Sequence, residues 1–342
     1  MKKYFLVLIS LFFITACTHK KNNDDILSQI PDKKHIEGSL TSVALPDSCE
    51  IGRPLAMVSF GNYVVIAQDR SDYMLTILDL STGNIQHLLQ KGHGENEVLD
   101  IHQMIVRDTS SFYVYDIFSR KLLSVSQNAS KLFELKGQEV IDDYFSITTD
   151  SSLLIGCCVE TDHRYKVYDK ANKKEKWLGT YKDFDVEPHA GRIILQGNML
   201  INNSHKRFAW MSYYGVAYQI ASYEGQGAIL HTQIFKLPQY HMDALGEQTI
   251  FEKETTIGFT SITNDDKRIF ALFSGQLLEN ALKEKEKVTM GKHIIELDWN
   301  GTPKRCWITE KYIKLIAYNP NIHRLFLLID EDNGYCLKSI RL

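Results

Sequence analysis

Short runs of alternating or continuous apolar residues, rich in Val, Ile, Tyr and Phe, recur along this chain between clusters of Asn, Asp, Gly and Lys. That rhythm predicts β-strands joined by turns. Residues 63–67 and 73–80, the turn Ser81-Thr82-Gly83-Asn84 and then 85–89 read as two strands, a turn and a third strand. The succession repeats at 112–115 with 122–125, and at 153–159 with 165–168. Residues 258–263, Asn264-Asp265-Asp266 and 268–273 match 313–318, Asn319-Pro320-Asn321 and 324–329; in both, a strand ends in an Asn-led turn and re-enters as an apolar strand. Helical patterns are scarce. Residues 277–287, with alternating Glu and Lys, predict a short helix or a solvated loop.

From residue 36 to 342 the hairpins recur about every 50 residues, within the range of radial and solenoid arrays. Many antiparallel strands without intervening helices argue against a parallel α/β architecture. The period selects a propeller over a sandwich or barrel, because four short strands per radial blade shelter their edges. The predicted fold is all-β, a six-bladed β-propeller of four-stranded antiparallel blades forming one domain over 36–342. Residues 36–45, with Ile36, Leu40, Val43 and Leu45, are expected to join the strand ending at Leu342 and complete the last blade.

The first residues follow another logic. Lys2 and Lys3 precede an almost unbroken apolar run to Thr15, followed by Ala16 and Cys17. The run reads as a signal peptide over 1–16, too short to span a bilayer core of about 30 Å. Ile14-Thr15-Ala16-Cys17 resembles the bacterial lipobox, which implies cleavage before Cys17 and its acylation. Several acyl chains would hold the body at a membrane almost permanently. Residues 17–35 are then expected to be the lipidated Cys and a flexible tether, polar and aperiodic over 18–25. Thr18 is not the Asp that retains many bacterial lipoproteins in the inner membrane, which points to the outer membrane of the cell envelope.

Composition describes a folded body, with 44% hydrophobic, 11% aromatic and 24% charged residues. A net charge of −3 from interspersed signs lacks the basic stripe of a nucleic-acid surface. Besides Cys17, five cysteines (Cys49, Cys157, Cys158, Cys306 and Cys336) show no CxxC or zinc-ligand spacing and read as buried, inert thiols.

Gly92-His93-Gly94-Glu95-Asn96-Glu97, lying between strands, resembles the Gly-x-Gly-Pro-x-Glu turn of TolB-like six-bladed propeller lipoproteins of Bacteroides and its relatives; Glu95 stands where that family often has Pro, and Asn96 where Gly is frequent. A second match, Asp298-Trp299-Asn300-Gly301-Thr302-Pro303 after an apolar strand, is similar to the family's Asp-Trp-x-Gly-x-Pro strand end. The resemblance implies a six-bladed propeller on a lipid anchor and brings no catalytic set.

Physically, Gly92 and Gly94 permit positive φ, and Glu97 can accept hydrogen bonds from the N–H groups of a tight bend. A functional reading has His93, Glu95 and Glu97 projecting from a blade connection towards a ligand. The acidic pairs Asp142-Asp143 and Asp265-Asp266 read as turn caps. Ser204-His205 lacks the spatial arrangement of a triad, and Trp210, Tyr213, Tyr214, Tyr218 and Tyr223 read as blade packing, with a sugar-stacking platform as the other option. No calcium loop, zinc motif, phosphate loop or nucleophile elbow is present, so neither a cofactor, a metal nor a catalytic residue is assigned.

These features lead to an envelope lipoprotein whose non-catalytic propeller binds a peptide, glycan or protein partner. The alternative is a propeller hydrolase or lyase with a metal or carboxylate site in its central channel; a structural role in envelope assembly is the third.

Overall fold

The computed structural model describes residues 25–46, 49–69, 72–94, 96–158, 161–245, 247–283, 287–332 and 334–342. Its strands form blades in which each strand pairs antiparallel with the next in sequence. From the centre outwards, blade 1 holds Arg53–Phe60, Tyr63–Asp69, Leu75–Asp79 and Ile85–Leu88; blade 2 holds Ile101–Asp108, Ser111–Asp116, Lys121–Gln127 and Phe133–Val140. Blade 3 holds Tyr144–Thr149, Leu153–Cys158, His163–Asp169 and Lys174–Thr180; blade 4 holds Gly197–Asn202, Arg207–Ser212, Val216–Ser222 and Ala228–Lys236. Blade 5 comprises Phe259–Asn264, Arg268–Phe273, Gly291–Asp298 and the first half of Pro303–Asn319. The second half of that long strand turns back to become the inner strand of blade 6, followed by Arg324–Glu331 and Gly334–Arg341, so the last two blades share one sheet.

Closure comes from the opposite end of the chain. Thr41–Ser42 is the fourth strand of blade 6, with Thr41 opposite Ser339 and Ser42 opposite Lys338, and the Val43 N–H continues the ladder to the Leu337 carbonyl at 2.9 Å. Of the closing segment expected over 36–45 from Ile36, Leu40, Val43 and Leu45, Thr41–Ser42 and the Val43 N–H pair with the last strand, while Glu37–Ser39 makes a 3-10 turn.

The apolar runs in the sequence have a single cause. The second strand of each blade is covered on both sides, so Tyr63–Asp69 and Ser111–Asp116 are almost wholly buried, whereas most of the outermost Phe133–Val140 is exposed. Successive side chains of a strand leave opposite faces of its blade. Val65 and Ala67 therefore join the core between blades 1 and 2, while Val64 and Ile66 join the core between blades 6 and 1. Six such cores separate the six blades, and the sixth closes the ring.

The expected tether is corrected by packing. Residues 25–35 belong to the folded body: Ile26, 1% exposed, and Ile30 lie in the core between blades 4 and 5. Asp32–His35 then adds a parallel fifth strand to the rim of blade 5, Asp32 opposite Arg305. Ile36 enters the core between blades 5 and 6, and Val43 and Leu45 pack on the core between blades 6 and 1. The N-terminal segment is a belt around two blades. Cys17 and the first part of the tether lie outside the described residues.

Where residues 277–287 predict a short helix or loop, the chain makes the 3-10 turn Leu278–Leu282. The helix Pro188–Ile194 and the hairpin of Tyr240–Met242 with Thr249–Phe251 were not expected; both sit in connections between blades. Among the described residues no helix is long and apolar enough to cross a membrane.

Candidate functional site: the central cavity

All six inner strands run in the same direction and therefore end on one face of the ring, the turn face. Blade-to-blade links occupy the other, the connection face. On the turn face a cavity of about 650 Å³ opens, lined by residues of every inner strand. Its wall includes Met57, Val58, Met104, Val106, Met199 and Ile262; its rim is built from Arg107 near the end of its inner strand and from the turns that follow the inner strands, with Asn203, Asp266, Lys267, Asn321 and His323. At the level of Met199, Gln103 joins three inner strands: its Oε1 accepts from the Ile147 N–H at 2.8 Å, and its Nε2 donates to the Met199 carbonyl at 3.5 Å.

The rim is held by side-chain bonds between blades, since inner strands are not paired with each other. Asn202 donates to the Asp266 carbonyl at 2.9 Å and Asn264 to the Ile201 carbonyl at 3.1 Å, tying blade 4 to blade 5. Thr263 Oγ1 accepts from the Tyr318 N–H at 3.0 Å, tying blade 5 to blade 6. The buried Asn319 donates to Ser59 Oγ and to the Gly61 carbonyl, sealing blade 6 to blade 1. The Asn-led turns that recur in the sequence are therefore rim elements.

Most rim ions already have partners. Asp265 caps its turn through the Lys267 and Arg268 N–H groups and binds the Arg268 guanidinium at 2.7 Å. Burial lowers the Arg268 pKa, but Asp265 more than offsets it, so the net shift is upward. Arg268 also donates to the Tyr318 hydroxyl, whose pKa is raised by burial. Burial raises the pKa of Asp108, and bonds from Ser111 and Ser110 bring it to a net value below the ordinary carboxylate range. Both carboxylates are turn caps, and Asp108 stays ionised at neutral pH, which does not suit a general acid. Lys267, by contrast, makes no ion pair among the described residues, and there the Asp266 carboxylate accepts from Ser204 Oγ at 3.0 Å. Among those residues no group of three or more His, Cys, Asp or Glu is placed to hold a metal ion.

The turn 92–97 lies elsewhere, on the connection face between blades 1 and 2. Glu97 Oε2 accepts from the Gly94 N–H at 2.7 Å, which is the turn-capping use of that carboxylate. The glycines serve space and not positive φ: neither is left-handed, and a Cβ on Gly92 would collide with the Glu97 carboxylate. His93 is exposed, with Glu97 turned into the bend, while Glu95 lies outside the described residues. The structure does not bring His93 and Glu97 to the cavity.

Other candidates resolve into architecture. Asp142 binds Lys166 at 2.6 Å, and Ser204 bonds Asp266 and not the neighbouring His205. Trp210, Tyr218 and Tyr223 are buried, with the Arg164 guanidinium 4.0 Å from the Trp210 ring; Tyr213, Tyr214 and Phe251 pack together on the connection face. Cys157, Cys158 and Cys306 are buried and unpaired, and burial pushes the thiol pKa of Cys158 up to about 12 and that of Cys306 to about 11. Sequence reasoning expected a central channel but did not name its lining, which is drawn from six distant segments, although the two Asn-led turns marked the rim at blades 5 and 6.

A family model described as TolB-like 6-blade propeller-like matches residues 32–319. Among solved structures the chain is similar to a Bacteroides fragilis protein provisionally described as exported, at 11% identity and a TM-score of 0.56, covering 91% of this chain and 98% of that one. It is also similar to a DUF4221-family member from Bacteroides vulgatus, at 11% identity and a TM-score of 0.54, covering 88% and 95%. No curated protein matches the chain.

Proposed function

The chain belongs to the TolB-like six-blade propeller family, and on that premise we propose that it is an exported, lipid-anchored binding module that receives a peptide segment of an envelope partner in its turn-face cavity. The single observation that carries this is the cavity's composition. Its wall exposes Val106 with the half-buried Val58 and Ile262, in front of Met57, Met104 and Met199 in the cores between blades, while its rim offers Lys267 and Arg107 together with Asp266. Apolar side chains on the wall and mixed charge on the rim suit a peptide with apolar and polar positions. A glycan site needs exposed aromatic faces, but the cavity's Phe60 and Tyr318 are buried. A hydrolase or lyase needs convergent free carboxylates, and Asp108 and Asp265 are spent on turns.

The anchor rests on Ile14-Thr15-Ala16-Cys17 and agrees with the exported description of the Bacteroides fragilis neighbour. Metabolic fatty-acid labelling tests it: the wild-type protein takes up label and Cys17→Ala does not. For the cavity, Val106, 38% exposed on the wall, is replaced by Arg. Selection from a random peptide library by the wild-type protein is expected to enrich a motif whose affinity falls at least tenfold in Val106→Arg at unchanged melting temperature. Equal affinity in the variant overturns the assignment to the cavity.

A further inference from the structure

We propose that the wedge between blades 5 and 6, beneath the N-terminal belt, is a binding site for a phosphate group. A separate cavity of about 420 Å³ lies there, distant from the central one in its lining. Lys34 and His35 come from the belt, Arg324 and Arg341 from blade 6, and Trp307 from blade 5; the hydroxyls of Ser39 and Thr41 complete it. No carboxylate lines this cavity.

The nearest acids are committed elsewhere. Asp32 binds Arg305 at 2.5 Å, buried Glu296 accepts from Trp307 Nε1 at 3.3 Å, and Glu37 accepts from the Glu310 N–H. Among the described residues Lys34, His35, Arg324 and Arg341 therefore have no ion-pair partner, and the one side-chain bond of this group is from Arg324 to Ser339 Oγ at 2.9 Å.

The two arginines are also cross-strand partners, Arg324 opposite Arg341 in the last hairpin. Like charges directly opposed in an antiparallel pair destabilise it, so the hairpin carries an unfavourable charge pair that an anion would neutralise. Guanidinium groups match the oxygens of phosphate through paired donors, and the lysine and hydroxyls add further donors at the same cavity. The Lys34 ammonium, 5.8 Å from the Trp307 ring centre, is held at the cavity by that ring. Because the belt supplies half of the donors and blade 6 the other half, a bound phosphate would tie the N-terminal segment to the C-terminal hairpin.

The test uses the full-length protein in neutral detergent at constant ionic strength, titrated with inorganic phosphate against sodium chloride and read by thermal denaturation and calorimetry. Phosphate is expected to bind saturably and raise the melting temperature beyond chloride, since a ligand bound only to the folded state stabilises it. The double variant Lys34→Gln, Arg341→Gln is expected to melt no lower than wild type in chloride and to lose at least tenfold in phosphate affinity. Absence of saturable binding, or equal affinity in the double variant, overturns the proposal. A second arm measures co-sedimentation of Cys17→Ser with phosphatidic acid and with phosphatidylcholine vesicles. Retention on phosphatidic acid that depends on Lys34 and Arg341 assigns the phosphate to a lipid headgroup; phosphate binding without retention assigns it to a soluble phosphate ester.

Discussion

Asn319 and Ser59 stand 260 residues apart in sequence, and the side-chain amide of one donates to the hydroxyl of the other at 2.9 Å. The same amide donates to the Gly61 carbonyl, and Asn319 Oδ1 accepts from the Asn321 N–H, so a fully buried side chain closes the last seam of the ring. Removing it in Asn319→Ala strands buried polar partners, which costs about 1–3 kcal/mol. The melting temperature is expected to fall by about 2–4 °C, while Asn321→Ala, which removes an exposed acceptor of the Gly61 N–H, costs less than half as much. Equal losses would show that the seam is not held by Asn319.

The belt is tested at Ile26. Truncating a buried Ile to Ala costs about 2–5 kcal/mol, so Ile26→Ala is expected to lower the melting temperature clearly, whereas Ser28→Ala, two residues on and exposed, leaves it within about 1 °C. A flexible tether would give no change in either.

Glu97 is predicted to be a turn residue only. Glu97→Ala frees the Gly94 N–H and is expected to increase proteolytic cleavage near residues 92–97, at a cost of about 0.5–1.5 kcal/mol. Peptide affinity at the turn-face cavity stays as in wild type, and His93→Ala alters neither measurement. A tenfold loss of affinity in either variant would move the site to the connection face.

One acid-linked contribution is specified by Glu331. The Lys311 ammonium at 2.6 Å, followed by Lys338 at 3.0 Å, lowers its pKa to about 2. A pKa depressed in the folded state gives stability that is complete above the unfolded value near 4.5 and is lost as pH falls towards 2. The pair is partly solvated, so the contribution is about 1 kcal/mol or less. Glu331→Gln is expected to be less stable than wild type at pH 6 and equal to it at pH 2; a constant gap across that range would contradict the ion-pair account.

The blades were legible because each second strand is buried on both faces and writes an uninterrupted apolar run, as at 268–273 and 324–329. Closure by 36–45 was legible for the same reason, its apolar positions requiring a partner. The packing of 26–35 was not, because Ile26 and Ile30 are two isolated apolar residues whose cores are built from blades 4 and 5. The helix Pro188–Ile194 is seven residues long, too short to impose a periodic pattern. A central channel was expected from the fold, but its lining residues were not identified, because a ring lumen takes a few residues from each of six strands and leaves no local motif. The turn at 92–97 drew attention through its glycines, which serve to accommodate a carboxylate.

The ribosome delivers the belt first and its seats last. Ile26, Ile30 and Ile36 emerge long before blades 4, 5 and 6 exist to receive them, and Thr41 pairs with Ser339, far along the chain. Contacts so distant in sequence form late, since the intervening loop must be closed before they return any stability. A nascent copy of this protein therefore cannot close its ring before Gly334–Arg341 has been made, and until then the belt and the first five blades wait on an open seam.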